Sequence, residues 1–340
     1  MKKKTALTGT QNVLKELNSS LIKDALAKCG QATRVELAAM TKISQPTVNL
    51  LIKSLLADQT VISLGAAAST GGRRAEVYAL NHKKSAVALL TVNESFFETS
   101  VIDMELKEEI HGRSKRNKEE KCLTQIQEIL AKLIRQNSNI RAISVGVPGA
   151  VTMEGEVFAV PSVSEWENFP LRQALEEYFS LPVQVTNDIN ATAVGYTFVH
   201  PGVRDMVYIS TDGEGIGAGV ILNGDLYPGC KSFAGELGYM QLGRRSVEAL
   251  MAESTSRQAS PSWLAQIIVN IACMFNPEKI VLAGDADQES VICEVKGICE
   301  QLLPERVIPQ IAGAGKEESY YLKGLGRIGR ELLNQDIHIV

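Results

Sequence analysis

The sequence predicts an α/β protein in two parts: a winged helix-turn-helix head and a larger body in which strands and helices alternate. Three observations carry this. The stretch Val35–Leu56 (VELAAMTKISQPTVNLLIKSLL) holds two helical patterns with a short break between them. Two β-rich runs follow it, joined by a tip of glycines and arginines. From residue 86 onward a plan of strands, helix, strand and helix recurs roughly twice, with no repeat visible at residue level.

In the first helical pattern apolar residues fall at Val35, Leu37, Ala38 and Met40, while Glu36 and Thr41 face away. Lys42-Ile43 make the break. Ser44 stands where a helix cap belongs, and Pro46 sits in the first turn, where its missing N–H costs nothing. The second pattern runs Val48, Leu51, Ile52, Leu55, one face of a helix. Its other face shows Gln45, Thr47, Asn49 and Lys53, free of carboxylates and suited to base edges and phosphates in a major groove. By itself the stretch equally fits an ordinary helical hairpin with a solvated face. The following residues weigh against that. Thr60–Leu64 and Ala75–Leu80 read as paired strands, and the tip between them carries Arg73 and Arg74, placed to reach a backbone or minor groove. Ahead of the motif, residues 11–29 form a helix with Val13, Leu14, Leu17, Leu21, Ile22 and Leu26 on one side.

Charge follows the same division. Residues 1–84 carry 13 Lys and Arg against 5 Asp and Glu; the rest carry 22 against 34. A basic head on an acidic body implies that the head meets a polyanion. With 45% hydrophobic and 22% charged residues among 340, the composition is that of a globular protein of two or three domains. No apolar run reaches membrane-span length, and the lysines of the N-terminus precede no apolar core, so a cytoplasmic protein with no membrane partner is expected. The six cysteines form no C-x-x-C pair and read as reduced, mostly buried thiols.

In the body, Ala86–Val92, Phe96–Asp103 and Lys107–Arg113 read as strands, Cys122–Ile134 as a helix, and Ile140–Val147 as a buried strand entering Val147-Pro148-Gly149-Ala150. A helix at Leu171–Tyr178 and a strand at Val183–Val185 lead to Thr186-Asn187-Asp188-Ile189-Asn190, where Asn190 or Asp188 can cap the helix Ala191–Phe198. A second sheet follows, with strands Met206–Ser210 and Val220–Leu222 around the glycine loop Thr211–Gly219, then a helix at Trp263–Phe275, a strand at Lys279–Ala283 and a helix at Gly326–Leu333.

These motifs, in this order, resemble the ROK family (repressor, open reading frame, kinase) from about residue 11 to the end. The matching stretches are STGGRR, VGVPGAV, WENFPLRQAL…LPVQVTNDINATAVG, GIGAGVILNGDLYPG…FAGELGYM and FNPEKIVLAG. The resemblance implies a two-lobed, actin-like (sugar kinase/RNase H-like) ATPase fold with a sugar in its cleft. It also implies a sugar-responsive transcriptional regulator, since members with a winged helix are typically that. The domains are then 1–82 (winged helix), 83–198 (first lobe) and 199–340 (second lobe).

Asn187-Asp188 resembles the family's pair that grips the sugar, Asp being the kinase base; the alternative for Asp188 is a helix cap. Glu236, in Gly235-Glu236-Leu237-Gly238, resembles the family's sugar-binding Glu. Tyr239 stands at the position of a zinc-binding His, and Glu248 at that of the Glu trailing the cysteine cluster. The departures are informative. The first phosphate loop corresponds to Leu89–Ser95, which has no glycine and places Thr91 at the Asp position and Glu94 where phosphate would approach. Gly213–Gly219 keeps glycines of the second loop, but Asp212 and Glu214 add negative charge. Met240–Leu250 has no cysteine, so no zinc is expected. The family's sugar-contacting Asn corresponds to Ser162, and the segment from Glu253 to Pro261 is short of the family's extra helices. No cofactor is expected.

The reading is a regulator, most simply a repressor, without kinase activity. It binds a double-stranded DNA operator through Ser44, Gln45, Thr47, Asn49, Lys53, Arg73 and Arg74. It senses a sugar or sugar derivative through Asn187, Asp188, Glu236, Tyr239 and Glu248, as a homodimer or higher homo-oligomer. The alternatives are a sugar kinase with an accessory DNA-binding head, and a regulator whose sensor serves only to dimerise.

Overall fold

A computed structural model describes residues 4–66, 75–160, 163, 165–212, 215–253, 260–315 and 319–334. The chain divides into two compact units, one built on residues 1–85 and one on residues 86–102 and 106–335.

The first unit comprises α1 (Lys4–Cys29), β1 (Gln31–Thr33), α2 (Arg34–Thr41), α3 (Gln45–Ala57), β2 (Val61–Ala66) and β3 (Glu76–Leu80). Thr33 starts α2 with a reciprocal cap: its hydroxyl accepts from the Glu36 N–H at 3.3 Å, and the Glu36 carboxylate accepts from the Thr33 N–H at 2.8 Å. Lys42, left-handed at φ 59°, ends it. Ser44 caps α3, with Pro46 in its first turn. The strands form an antiparallel sheet in the order β1-β3-β2, with Val61 opposite Leu80. Ile22, Leu26, Leu37, Val48, Leu51, Ile52, Leu55 and Tyr78 make the core. Three helices followed by a hairpin is the arrangement of a winged helix.

Several expectations are corrected here. Val35 and Met40 are exposed, so the buried face of α2 is Leu37, with Ala38 partly buried beside it. On α1, Val13, Leu14, Leu17 and Leu21 are 40–52% exposed, and only Ile22, Ala25 and Leu26 enter the core. Three-residue β1, too short to show a period, was not anticipated. The wing tip with Arg73 and Arg74 lies outside the described residues.

The second unit holds two five-stranded sheets. Its elements in order are β4 (Ala86–Val92), β5 (Phe96–Asp103), β6 (Glu108–Lys115), α4 (Cys122–Gln136), β7 (Ile140–Val147), β8 (Ala150–Val151), β9 (Val157–Phe158), α5 (Leu171–Phe179), β10 (Val183–Asn187) and α6 (Asp188–Val199). Then come β11 (Met206–Asp212), β12 (Gly215–Leu222), β13 (Asp225–Leu226), β14 (Gln241–Leu242), β15 (Arg245–Ser246), α7 (Val247–Glu253), α8 (Pro261–Phe275), β16 (Lys279–Gly284), α9 (Glu289–Leu302), β17 (Gln310–Gly313) and α10 (Tyr320–Asn334). The first sheet runs β10-β7-β4-β5-β6, the second β13-β12-β11-β16-β17, each mixing a parallel and an antiparallel part.

Helices α6 and α10 lie against one another and against the sheets. A side chain at Gly195 would overlap the Tyr320 carbonyl, and one at Gly324 the Ala191 carbonyl, so the two backbones touch directly. Helix α10 rests on the first sheet, where Gly329 faces Val87 and Ser144; α6 rests on the second, where Ala193 meets Gly219. Among the described residues no helix is long and apolar enough to cross a membrane. Only Cys122 and Cys299 are buried and four thiols are exposed, against the expectation of mostly buried cysteines.

Candidate functional site

On the head, the core-facing side of α3 is Val48, Leu51, Ile52 and Leu55, which leaves Gln45, Asn49 and Lys53 exposed as the pattern foretold. Ser44 and Thr47 are engaged with one another. The Ser44 hydroxyl lies 2.8 Å from that of Thr47 and accepts from the Thr47 N–H. They hold the helix start, where its unpaired N–H groups favour a phosphate. The sequence reading passed over Leu50, which is 66% exposed beside Asn49. An apolar residue at the centre of a polar face was the available signal.

On the body, Asn187 rather than Asp188 or Asn190 caps α6: its Oδ1 accepts from the Asn190 N–H, and its Nδ2 donates to the Gly149 carbonyl, both at 2.9 Å. Asn187 therefore ties the loop after β7 to the start of α6. The Asp188 carboxylate accepts from the Ile189 N–H at 2.8 Å. Near it, burial and then the charges of Asp188 and Glu98 push the Tyr321 phenol well up; its ring fills the space that a side chain at Gly146 would occupy.

Glu236 is placed by Gly235. That glycine has φ +96°, accepts from the Ala218 N–H at 2.8 Å, and leaves no room for a Cβ against the Ala218 carbonyl. Glu236 then enters a short 3-10 turn, Leu237–Tyr239. Glu248, in the first turn of α7, packs its Cβ about 3.7 Å from where one on Gly238 would lie. Glu236, Tyr239 and Glu248 are thus gathered at one rim. Burial raises the Glu236 carboxyl above the ordinary range.

Two hollows lie on opposite faces of β12: Asn187 lines one, Glu236 and Tyr239 line the other, and Asp188 and Glu248 line neither. Gly217 and Gly219 turn to α6, where Asn187, Asn190, Thr152, Met153 and Ser232 border a groove of about 500 Å³. Ala218 and Val220 turn to α8, where Glu236, Tyr239 and Phe233 border a hollow of about 340 Å³. A side chain at Gly217 would overlap Ile189 of α6, so the helix packs directly on this strand. Asn190, one helical turn after Asn187, was read only as a cap and belongs to the groove lining.

The phosphate-loop region is closed by its own atoms. The Asn93 N–H donates to the Phe96 carbonyl at 3.0 Å, the Asn93 amide donates to Thr91, itself fully buried, and Lys118 pairs with Glu94 at 2.7 Å. In the second loop, Gly213 and Glu214 lie outside the described residues, as do Ser162 and the segment 254–259. Tyr239, Gln241 and Arg245 offer no thiolate or imidazole, and no metal-binding cluster of His, Cys, Asp and Glu occurs among the described residues, so this rim does not fit the family's zinc.

Two mixed sheets with a pair of crossed helices between them are the two-lobed, actin-like fold. Residues 95–250 match the profile of the ROK family. It is 27% identical over 241 residues to the xylose repressor of Caldicellulosiruptor bescii, covering 68% of this chain and 60% of that protein. It is 26% identical over 246 residues to the DNA-binding transcriptional dual regulator NagC of Escherichia coli, covering 70% and 60%. The chain thus spans about six tenths of the length of the curated relatives it matches. Among solved structures, a ROK family transcriptional regulator described as a homolog of the E. coli MLC protein superposes with TM-score 0.71 at 16% identity, covering 94% of this chain and 96% of that one. The ROK hexokinase of Thermus thermophilus gives 0.59 at 20%, covering 74% and 99%.

Proposed function

We propose that the protein is a cytoplasmic, sugar-responsive transcriptional repressor with no kinase activity, acting as a homodimer or higher homo-oligomer on an operator with two half-sites. One observation carries the reading: a helix-turn-helix that exposes Gln45, Asn49 and Lys53 shares a chain with a kinase-like body whose first phosphate loop is closed by Thr91, Asn93 and the Glu94–Lys118 pair. The names of the relatives, a xylose repressor and a DNA-binding transcriptional dual regulator, support it. Arg73 and Arg74 complete the DNA contacts. The effector sits at the rim of β12, with Asp188 and Glu236 approaching from its two sides, Tyr239 and Glu248 beside it, and Asn187 setting the position of α6. Ligand binding that favours one lobe arrangement shifts the spacing of the two heads and releases the operator.

The test begins with duplexes selected from a random pool. Asn49→Ala is expected to lose roughly 1–3 kcal/mol on selected sites only. Lys53→Ala weakens all duplexes and lowers the salt slope by about one. A pool that yields no enriched sequence overturns the DNA reading. Sugar-dependent ATP turnover that vanishes in Asp188→Asn overturns the non-enzymatic one.

A further inference from the structure

The hollow on the α8 face of β12 has an unusual lining. Among the described residues around it, Glu236 alone is charged; the rest are aliphatic, methionine or aromatic, with Phe233, Tyr239 and Phe275 supplying rings. The carboxylate makes no hydrogen bond or ion pair with any described residue, although it is half buried. A carboxylate withdrawn from water without a donor is costly, and the cost is removed by whatever brings the donor. Among the described residues no arginine, lysine or histidine lines the hollow to do so.

The rings say what kind of donor fits. Phe233 and Tyr239 stand 5.2 Å apart, tilted by 56°, and remain 46% and 57% exposed at the mouth. Aromatic faces beside a lone carboxylate attract a compact cation through ring quadrupole and charge together. A neutral hydroxyl gains the hydrogen bond but not the attraction of the rings.

We infer that this hollow receives a protonated amine, and that the effector is an amino sugar or similar polyol amine, its ammonium seated between Glu236 and the Phe233–Tyr239 rings. This rests on the reading above that Glu236 belongs to the effector site, and it names the class of ligand. The amine lies on the α8 face and the hydroxyls point back over the rim of β12 toward Asp188.

The experiment is calorimetric titration of the full chain with matched triads: the hexose, the hexosamine and the N-acetylhexosamine of the gluco, galacto and manno series. In at least one series the free amine is expected to bind about tenfold tighter than both neutral members. Glu236→Gln, which keeps shape and removes charge, brings the three to parity, and Tyr239→Leu reduces the preference. A neutral sugar binding as tightly as its amine overturns the inference and leaves the effector reading standing. A preference that survives Glu236→Gln also overturns it, because the amine then sits elsewhere. A panel in which nothing binds takes down both.

Discussion

Two rims of the body differ in how their polar groups are served. At the turn after β4, Asn93 and Glu94 both have protein partners: Asn93 on Thr91, Glu94 on Lys118. At the turn before β14, the Glu236 carboxylate has none among the described residues. In the first rim the Asn93 N–H is also spent, on the Phe96 carbonyl of the hairpin. The second is left incomplete at a cost. The contrast separates a position that has become structure from one still addressed to something outside the chain.

The contrast can be broken by substitution. The largest effect is expected at Gly235→Ala, because a Cβ there meets the Ala218 carbonyl in a left-handed backbone conformation. We expect a loss of at least about 2 kcal/mol in urea unfolding, together with loss of sugar binding. A folded, fully binding variant would show that Gly235 does not set the rim. Next is Asn187→Ala, which removes both the α6 cap and the tie to Gly149, and should cost about 2 kcal/mol by the same measurement. Asn93→Ala should cost about 1 kcal/mol and leave sugar affinity untouched. If it changes affinity, the first rim is not merely structural. Smallest is Lys118→Ala, whose exposed pair with Glu94 should leave unfolding and sugar titration where they were.

Much of this was legible in the residues. Ser44 and Pro46 announced the start of α3, and the spacing of Val48, Leu51, Ile52 and Leu55 announced its buried face. The same reasoning misled on α1. The pattern Val13, Leu14, Leu17, Leu21 identifies an apolar face but not whether anything covers it, and these side chains remain partly exposed. Helix α9 was missed because Gln288 provides no side-chain cap and Val291, Ile292, Val295 and Ile298 are β-branched. The cleft residues were picked out by motif, but their division between two faces of β12 was not. It depends on which of Gly217, Ala218, Gly219 and Val220 turns which way, and a run of small residues carries no alternation to read.

The crossing of α6 and α10 has a mechanical meaning. Ordinary helix pairs lock because the side chains of one sit between those of the other, and turning them requires those teeth to disengage. At Gly195 and Gly324 there are no teeth: main chain lies on main chain. Since α10 is seated on the first sheet and α6 on the second, this smooth spot is where the two sheets' helices come closest, and a single methyl group at either glycine would force them apart.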